Sequence, residues 1–135
     1  MNRNKLPPIT LHRADRERLE SLAQASLDRF PQTAAYLLRE LERARVVDTG
    51  GDFARIGSRV TFRDDATGQV REVTLTYPAE ADIAAARVSV LTPIGAALIG
   101  MSKDQTIGWQ TPAGEWRPLT VLSVQAPAAA QPEPA

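Results

Sequence analysis

The run Asp48-Thr49-Gly50-Gly51-Asp52 constrains this chain most, because two adjacent glycines among turn-forming residues do not continue a helix or a regular strand. It separates two stretches with different hydrophobic periods. Before it, over 11–27, Leu19, Leu22, Ala23 and Ser26 recur at three- and four-residue spacing, with Asp15 and Glu17 where a helix dipole favours acids. A second apolar stripe follows in Ala34, Leu37, Leu38, Leu41 and Ala44. Between the two, Asp28-Arg29-Phe30-Pro31-Gln32 breaks the pattern, since proline lacks an amide donor and disfavours helix at the preceding residue. These features predict two short antiparallel helices, with Thr33 capping the second. At about 1.5 Å per residue, helices of about 15 residues reach only about 20–25 Å. The outer face of this stub carries Arg13, Arg16, Arg18, Arg39, Arg43 and Arg45, and its tip carries Asp28 and Arg29. The basic face around Arg16, Arg39 and Arg43 is either a solvated helix surface or a contact for a partner.

After the glycines the period changes from helical to alternating. Val60 and Phe62, then Val73, Leu75 and Tyr77, alternate with polar neighbours around a loop at 64–68, which predicts a β-hairpin. The parity switch over 70–73 predicts a bulge. Residues 78–86 form an alanine-rich, acidic connection, and 87–91 read as another strand. Thr92 and Pro93 then open a short helix with a hydroxyl cap and a proline at its first position, and Gly100 closes it. Two final strands, 105–110 and 115–124, are joined by Thr111-Pro112-Ala113-Gly114, and Pro118 places its part of the last strand at a sheet edge. The expected division is a helical hairpin over 1–50, an antiparallel β domain with one short helix over 55–125, and a disordered tail over 126–135 that has no large apolar residue to bury.

Composition narrows the function. A chain of 135 residues supports one ordinary core with a small appendage. Sixteen basic and sixteen acidic side chains cancel, which argues against direct, sequence-specific nucleic-acid binding. No cysteine is present, so disulfides, thiolate metal sites and cysteine nucleophiles are excluded, in keeping with a cytoplasmic setting. No stretch approaches the roughly 18 apolar residues of a membrane span, and the start lacks the apolar region of a secretory signal.

The parts for catalysis are few. His12 is the only histidine, so neither a triad base nor a two-histidine metal site has its usual components. Asp64 and Asp65 fall in the hairpin loop, where acids serve turn geometry. Gly50-Gly51 lacks the spacing and the lysine of a phosphate loop. Trp109 and Trp116 lie on paired strands, where packing explains them better than a stacking platform does. No catalytic residue, metal ligand or cofactor is expected.

The run Val88-Ser89-Val90-Leu91-Thr92-Pro93-Ile94-Gly95-Ala96-Ala97-Leu98-Ile99-Gly100 resembles the signature of the carboxy-terminal domain of the Gre transcript-cleavage factors. Thr111-Pro112-Ala113-Gly114-Glu115 resembles the last hairpin of that family, so the likeness covers 57–125. The start Asp15-x-Glu17-Arg18-Leu19, the close Glu40-Leu41-Glu42-Arg43-Ala44 and the piece Thr76-Tyr77-Pro78 are similar to the Rnk branch, the regulators of nucleoside diphosphate kinase. The resemblance implies an α+β chain, with a short antiparallel coiled-coil hairpin and an FKBP-like domain. It also implies a partner, bacterial RNA polymerase at the rim of its secondary channel, docked through the corner Thr92, Pro93, Ile94 and Gly95. The acidic pair that Gre factors carry at the tip of a long coil is missing here, which predicts a monomeric, non-enzymatic regulator that binds without stimulating transcript cleavage and competes with Gre factors. The alternatives are an effect on nucleotide metabolism through another protein, and a prolyl isomerase, for which the sparse aromatic residues are a poor basis.

Overall fold

The computed structural model describes residues 7–111 and 113–127. The expected turn residue Pro112 and positions 128–135 of the expected tail lie outside them. The elements run β1 (Thr10–His12), α1 (Arg13–Ala25), α2 (Pro31–Arg43), β2 (Arg45–Val47), β3 (Arg59–Asp64), β4 (Val70–Thr76), β5 (Arg87–Ser89), α3 (Pro93–Leu98), β6 (Thr106–Gln110) and β7 (Trp116–Gln125). This is an α+β fold, with the helical pair first and a five-stranded sheet after it, in the order β5-β4-β3-β7-β6.

The two helices form because each presents one apolar stripe to a neighbour. Leu19 and Ala23 of α1 and Ala34, Leu37 and Leu41 of α2 are buried. Their boundaries differ from the sequence reading. Residues 10–12 leave the helical pattern because they pair in parallel with β2, Leu11 opposite Val46, and Leu11 is fully buried there. The start of α2 is set by Pro31, whose missing amide costs nothing at a first helical position, and Ala34 donates to the Phe30 carbonyl at 2.8 Å. Thr33 therefore sits inside the first turn and caps nothing.

The sheet departs from the expectation in two places. β5 runs parallel to β4, Leu75 opposite Val88, so the sheet is mixed; two 3-10 turns over 78–85 make the crossover that a parallel pair requires. The β3–β4 pairing is regular from Arg59↔Thr74 to Arg63↔Val70, with no bulge. Val70 simply faces solvent at the end of the strand, 53% exposed. The irregularity lies instead between β3 and β7, where Thr61 pairs with Ser123 but Phe62 with Val121, leaving Leu122 as the extra residue. β7 has strand neighbours on both sides only from Leu119 onward, so the part that holds Pro118 pairs with β6 alone, as expected. Pro118 is accommodated because it lies just past the end of the β3 pairing, with its carbonyl accepting from Asp65 N at 2.9 Å.

One continuous core joins both halves. Ile9, Leu11, Leu19, Leu37 and Leu41 from the helical part meet Phe62, Leu75, Leu98, Ile107 and Val121 from the rest. Backbone bonds fasten the base of the hairpin to the turn after α3: Thr10 N donates to the Gly100 carbonyl at 3.1 Å, and Gly100 N to the Ala54 carbonyl at 2.9 Å. Arg55 adds an ion pair to Asp15 at 2.8 Å.

The backbone contacts of α3 require glycine at both ends. A Cβ on Gly95 would stand 2.1 Å from the Ser89 carbonyl oxygen, and Gly100 has φ +79° with Ile9 Cβ 3.0 Å from where its own Cβ would be. Gly95→Ala is expected to destabilise the fold by about 2–3 kcal/mol through this overlap. Gly114→Ala, at φ +91° with nothing within 4 Å, is strained only by its backbone angle and should cost about 1–2 kcal/mol. Denaturant midpoints that ranked the two variants in the opposite order would refute the steric account.

Candidate functional site

The corner at the start of α3 is built by reciprocal hydrogen bonds. Thr92 Oγ1 donates to the Ser89 carbonyl at 2.7 Å and accepts from Gly95 N at 3.1 Å, while Ser89 Oγ accepts from Leu91 N at 3.0 Å. The Thr92 hydroxyl is thus committed to local structure, as a helix cap should be. Gly95 is buried, Ile94 packs against the core, and Pro93 is exposed. The four residues therefore sit together as a rigid projection whose outward side chain is Pro93.

The hairpin arranges its expected residues less uniformly. Arg16 Nε donates to the Leu41 carbonyl at 3.0 Å, bridging the two helices. Arg43 donates through Nη2 to Glu40 Oε1 at 2.7 Å and through Nη1 to the Pro7 carbonyl at 2.6 Å. Glu40 is 4% exposed, and the paired guanidinium is what lets its carboxylate stay there. Of the three arginines named for the basic face, Arg39 alone is exposed and Arg16 and Arg43 are half-buried structural ties. The other arginines divide similarly: Arg13 pairs with Asp48 at 3.0 Å, and Arg18 lies 5.7 Å from the Tyr77 ring centre. At the tip Asp28 and Arg29 are exposed between Leu27 and Phe30, themselves 38% and 45% exposed. One carboxylate beside one guanidinium and two apolar side chains is a contact surface of mixed character.

The side chains with chemical potential elsewhere have structural partners. His12 Nε2 is bonded to the Gly50 carbonyl at 2.9 Å, and its ring meets the Phe53 ring edge-on at 5.2 Å. Asp64 accepts from Ala66 N at 2.9 Å and pairs with Arg117 at 3.2 Å, which holds the β3–β4 turn. Burial would raise the Asp65 carboxyl, but hydrogen bonds from Thr120 at 2.6 Å and Arg63 at 2.7 Å outweigh it and hold the group below the usual carboxylate range. Among the described residues no cluster of three or more His, Cys, Asp or Glu could hold a metal ion, and no helix is long and apolar enough to cross a membrane.

Beside the corner lies a feature that sequence reasoning missed. A cleft of about 230 Å³ opens between the start of α2 and the β6–β7 hairpin, lined by Gln32, Thr33, Tyr36, Pro93, Trp109 and Trp116 among others. Trp109 is 8% exposed and Trp116 60% exposed, so one packs in the core while the other stands in solvent. The chain has few aromatic residues, two Trp, two Tyr and three Phe, yet three of them converge here. Only the turn residues Thr111-Pro112-Ala113-Gly114-Glu115 before Trp116 hinted at an exposed aromatic; the convergence itself needs three distant segments. Burial, reinforced by the nearby Glu40 carboxylate, pushes the Tyr36 hydroxyl up to about 12. Because this folded value lies above the unfolded value near 10, the tyrosine's contribution to stability is complete below about pH 10 and is lost as pH rises towards about 12. Tyr36→Phe should remove that part of the alkaline loss; denaturation midpoints of the two proteins that fell in parallel between about pH 9.5 and 11.5 would contradict it.

Comparison with known proteins matches this architecture segment by segment. Residues 49–126 match the family described as "Transcription elongation factor, GreA/GreB, C-term", and residues 7–47 match "Rnk N-terminus". The chain is 34% identical over 122 residues to "Regulator of nucleoside diphosphate kinase" of Escherichia coli K12, covering 88% of this chain and 90% of the relative. It is 34% identical over 102 residues to "Transcription elongation factor GreA" of Syntrophobacter fumaroxidans, covering 76% of this chain and 65% of that protein. Among solved structures, "Prokaryotic transcription elongation factor GreA/GreB from Nitrosomonas europaea" superposes with a TM-score of 0.69 at 32% identity, covering 89% of this chain and 99% of that one. The carboxy-terminal match takes in the corner and the sheet, the amino-terminal match takes in both helices, and the chain therefore belongs to the GreA/GreB transcription elongation factor family, in its Rnk branch.

Proposed function

We propose that this protein is a non-enzymatic regulator that binds bacterial RNA polymerase at the rim of the secondary channel, in the cytoplasm, and competes there with Gre factors without stimulating transcript cleavage. The observation that carries this reading is the corner at Thr92 to Gly95. Its polar atoms are satisfied internally, its backbone is held by the Ser89 contact, and it offers Pro93 outward, so a partner meets a surface that needs no ordering on binding. In this reading residues 55–125 act as the FKBP-like docking domain and residues 1–50 as a short coiled coil entering the channel.

The hairpin supports binding without cleavage stimulation on two grounds. Helices of 13 residues each rise only about 20 Å. The tip presents Asp28 as its single acid, next to Arg29, where holding a divalent ion at a distant reaction centre calls for more than one carboxylate. Arg39 on α2 and Arg45 after it, both exposed, are the candidates for contact with acidic groups of the partner. A second reading, regulation of nucleoside diphosphate kinase level through another protein, rests on the name of the Escherichia coli relative.

Co-purification on core polymerase tests the first reading. Pro93→Ala keeps the helix start and should weaken retention at least about tenfold if the proline is a central anchor, as interface hot spots are. Thr92→Asp keeps a cap and adds a charge, and should weaken retention similarly. Unchanged retention of both variants would remove the corner from the account, and retention of an unrelated protein in place of polymerase would favour the second reading. In a stalled-complex assay the intact protein should leave the transcript uncut; accelerated cleavage would end the proposed mechanism.

A further inference from the structure

We propose that the aromatic cleft beside Pro93 receives the proline-rich end of a second copy of this chain. The cleft offers three complementary features. Tyr36, Trp109, Trp116 and Pro93 present rings against which an extended, proline-bearing segment packs. The start of α2 forms another wall through Gln32 and Thr33; it has no side-chain cap and no acid in its first turn, so its dipole and amides suit an incoming carboxylate. The third feature is an unpaired donor. Trp109 is 8% exposed and its buried Nε1–H has no hydrogen-bond partner among the described residues, so a small turn of the ring towards the cleft would bring the donor to a backbone carbonyl of a bound segment.

The chain's own carboxy-terminal sequence has the matching chemistry. It carries Gln131-Pro132-Glu133-Pro134-Ala135, an acid flanked by two prolines. Geometry directs this segment to another molecule. Pro127 lies against Gly57, its Cβ 2.9 Å from where a Gly57 Cβ would stand, at the opposite end of β7 from Trp116. The ten residues of β7 span about 30 Å, whereas Pro134, seven positions beyond Pro127, reaches at most about 25 Å from it. The Pro-Glu-Pro run of one chain would therefore have to be almost fully extended along β7 to approach its own cleft, whereas the cleft of a neighbour imposes no such constraint. Such association is concentration-dependent, and the monomer expected from the sequence is its dilute limit.

Titration calorimetry of a synthetic peptide spanning residues 126–135 into the full-length protein tests the proposal. Saturable binding is expected, about threefold to fivefold weaker for the peptide with Glu133→Ala, and at least about tenfold weaker for the peptide with Pro132→Ala and Pro134→Ala. Trp116→Ala in the protein should weaken binding by a similar factor; this side chain is mostly in solvent, so the variant folds if any does. In sedimentation, the intact chain should self-associate with rising concentration, and a full-length chain carrying Glu133→Lys with Pro132→Ala and Pro134→Ala should not. No binding at millimolar peptide, equal binding of the proline-free peptide, indifference to Trp116→Ala, or identical sedimentation of the two chains would each overturn it.

Discussion

The close approach of Gly95 to the Ser89 carbonyl is the contact on which the rest of the molecule depends. With a hydrogen in place of a side chain, the first turn of α3 lies directly on the end of β5, and Thr92 can bond both to that strand and to its own helix. A helix of only six residues has little stability of its own, so tertiary seating must define it. Once seated, it delivers Gly100 to the point where the backbone of β1 and the Ala54 loop converge. The sheet, the short helix and the helical hairpin are thus tied through a few backbone atoms, and one core forms across all three.

That arrangement bears on how the proposed binding would work. Its polar chemistry is largely consumed in holding shape: His12 fixes the Gly50 turn, Asp64 and Asp65 fix the β3–β4 turn, and Arg16 and Arg43 tie the helices. Outward stand Pro93 on its corner, the exposed Arg39, the mixed tip around Asp28, and the aromatic cleft, which are the features the proposed contacts use. Rigid supports for small exposed anchors are what a binding module needs, because little conformational entropy is lost on contact.

The hairpin is the short part of this family architecture, with helices of 13 residues each. Its length is limited by the parallel pairing of β1 with β2, which closes the helical excursion at the base. Glu40 and Arg43 lock that base from inside, so the arm is short and stiff. In the proposed function such a stub would occupy space and compete for it, without the reach of a longer, acid-tipped arm.

Much of this was legible in the residues alone. The change of period at Gly50-Gly51, the proline starts of α2 and α3 and the glycine after α3 are local signals, because capping and φ preferences act within a few residues. They determined the order of helices and strands and marked the corner. Local signals did not reveal the β1–β2 pair, whose three-residue strands are specified by partners some 35 positions apart. For the same reason the parallel seating of β5 and the position of the β-bulge at Leu122 waited for the sheet itself. The cleft is the clearest case: Tyr36, Trp109 and Trp116 carry no common pattern along the chain, and only the packing of α2 against the rest brings them together. The sequence determined which segments are helix, strand and turn; the tertiary structure decided which of their side chains remain free to meet a partner, since burial and pairing are properties of neighbours in space.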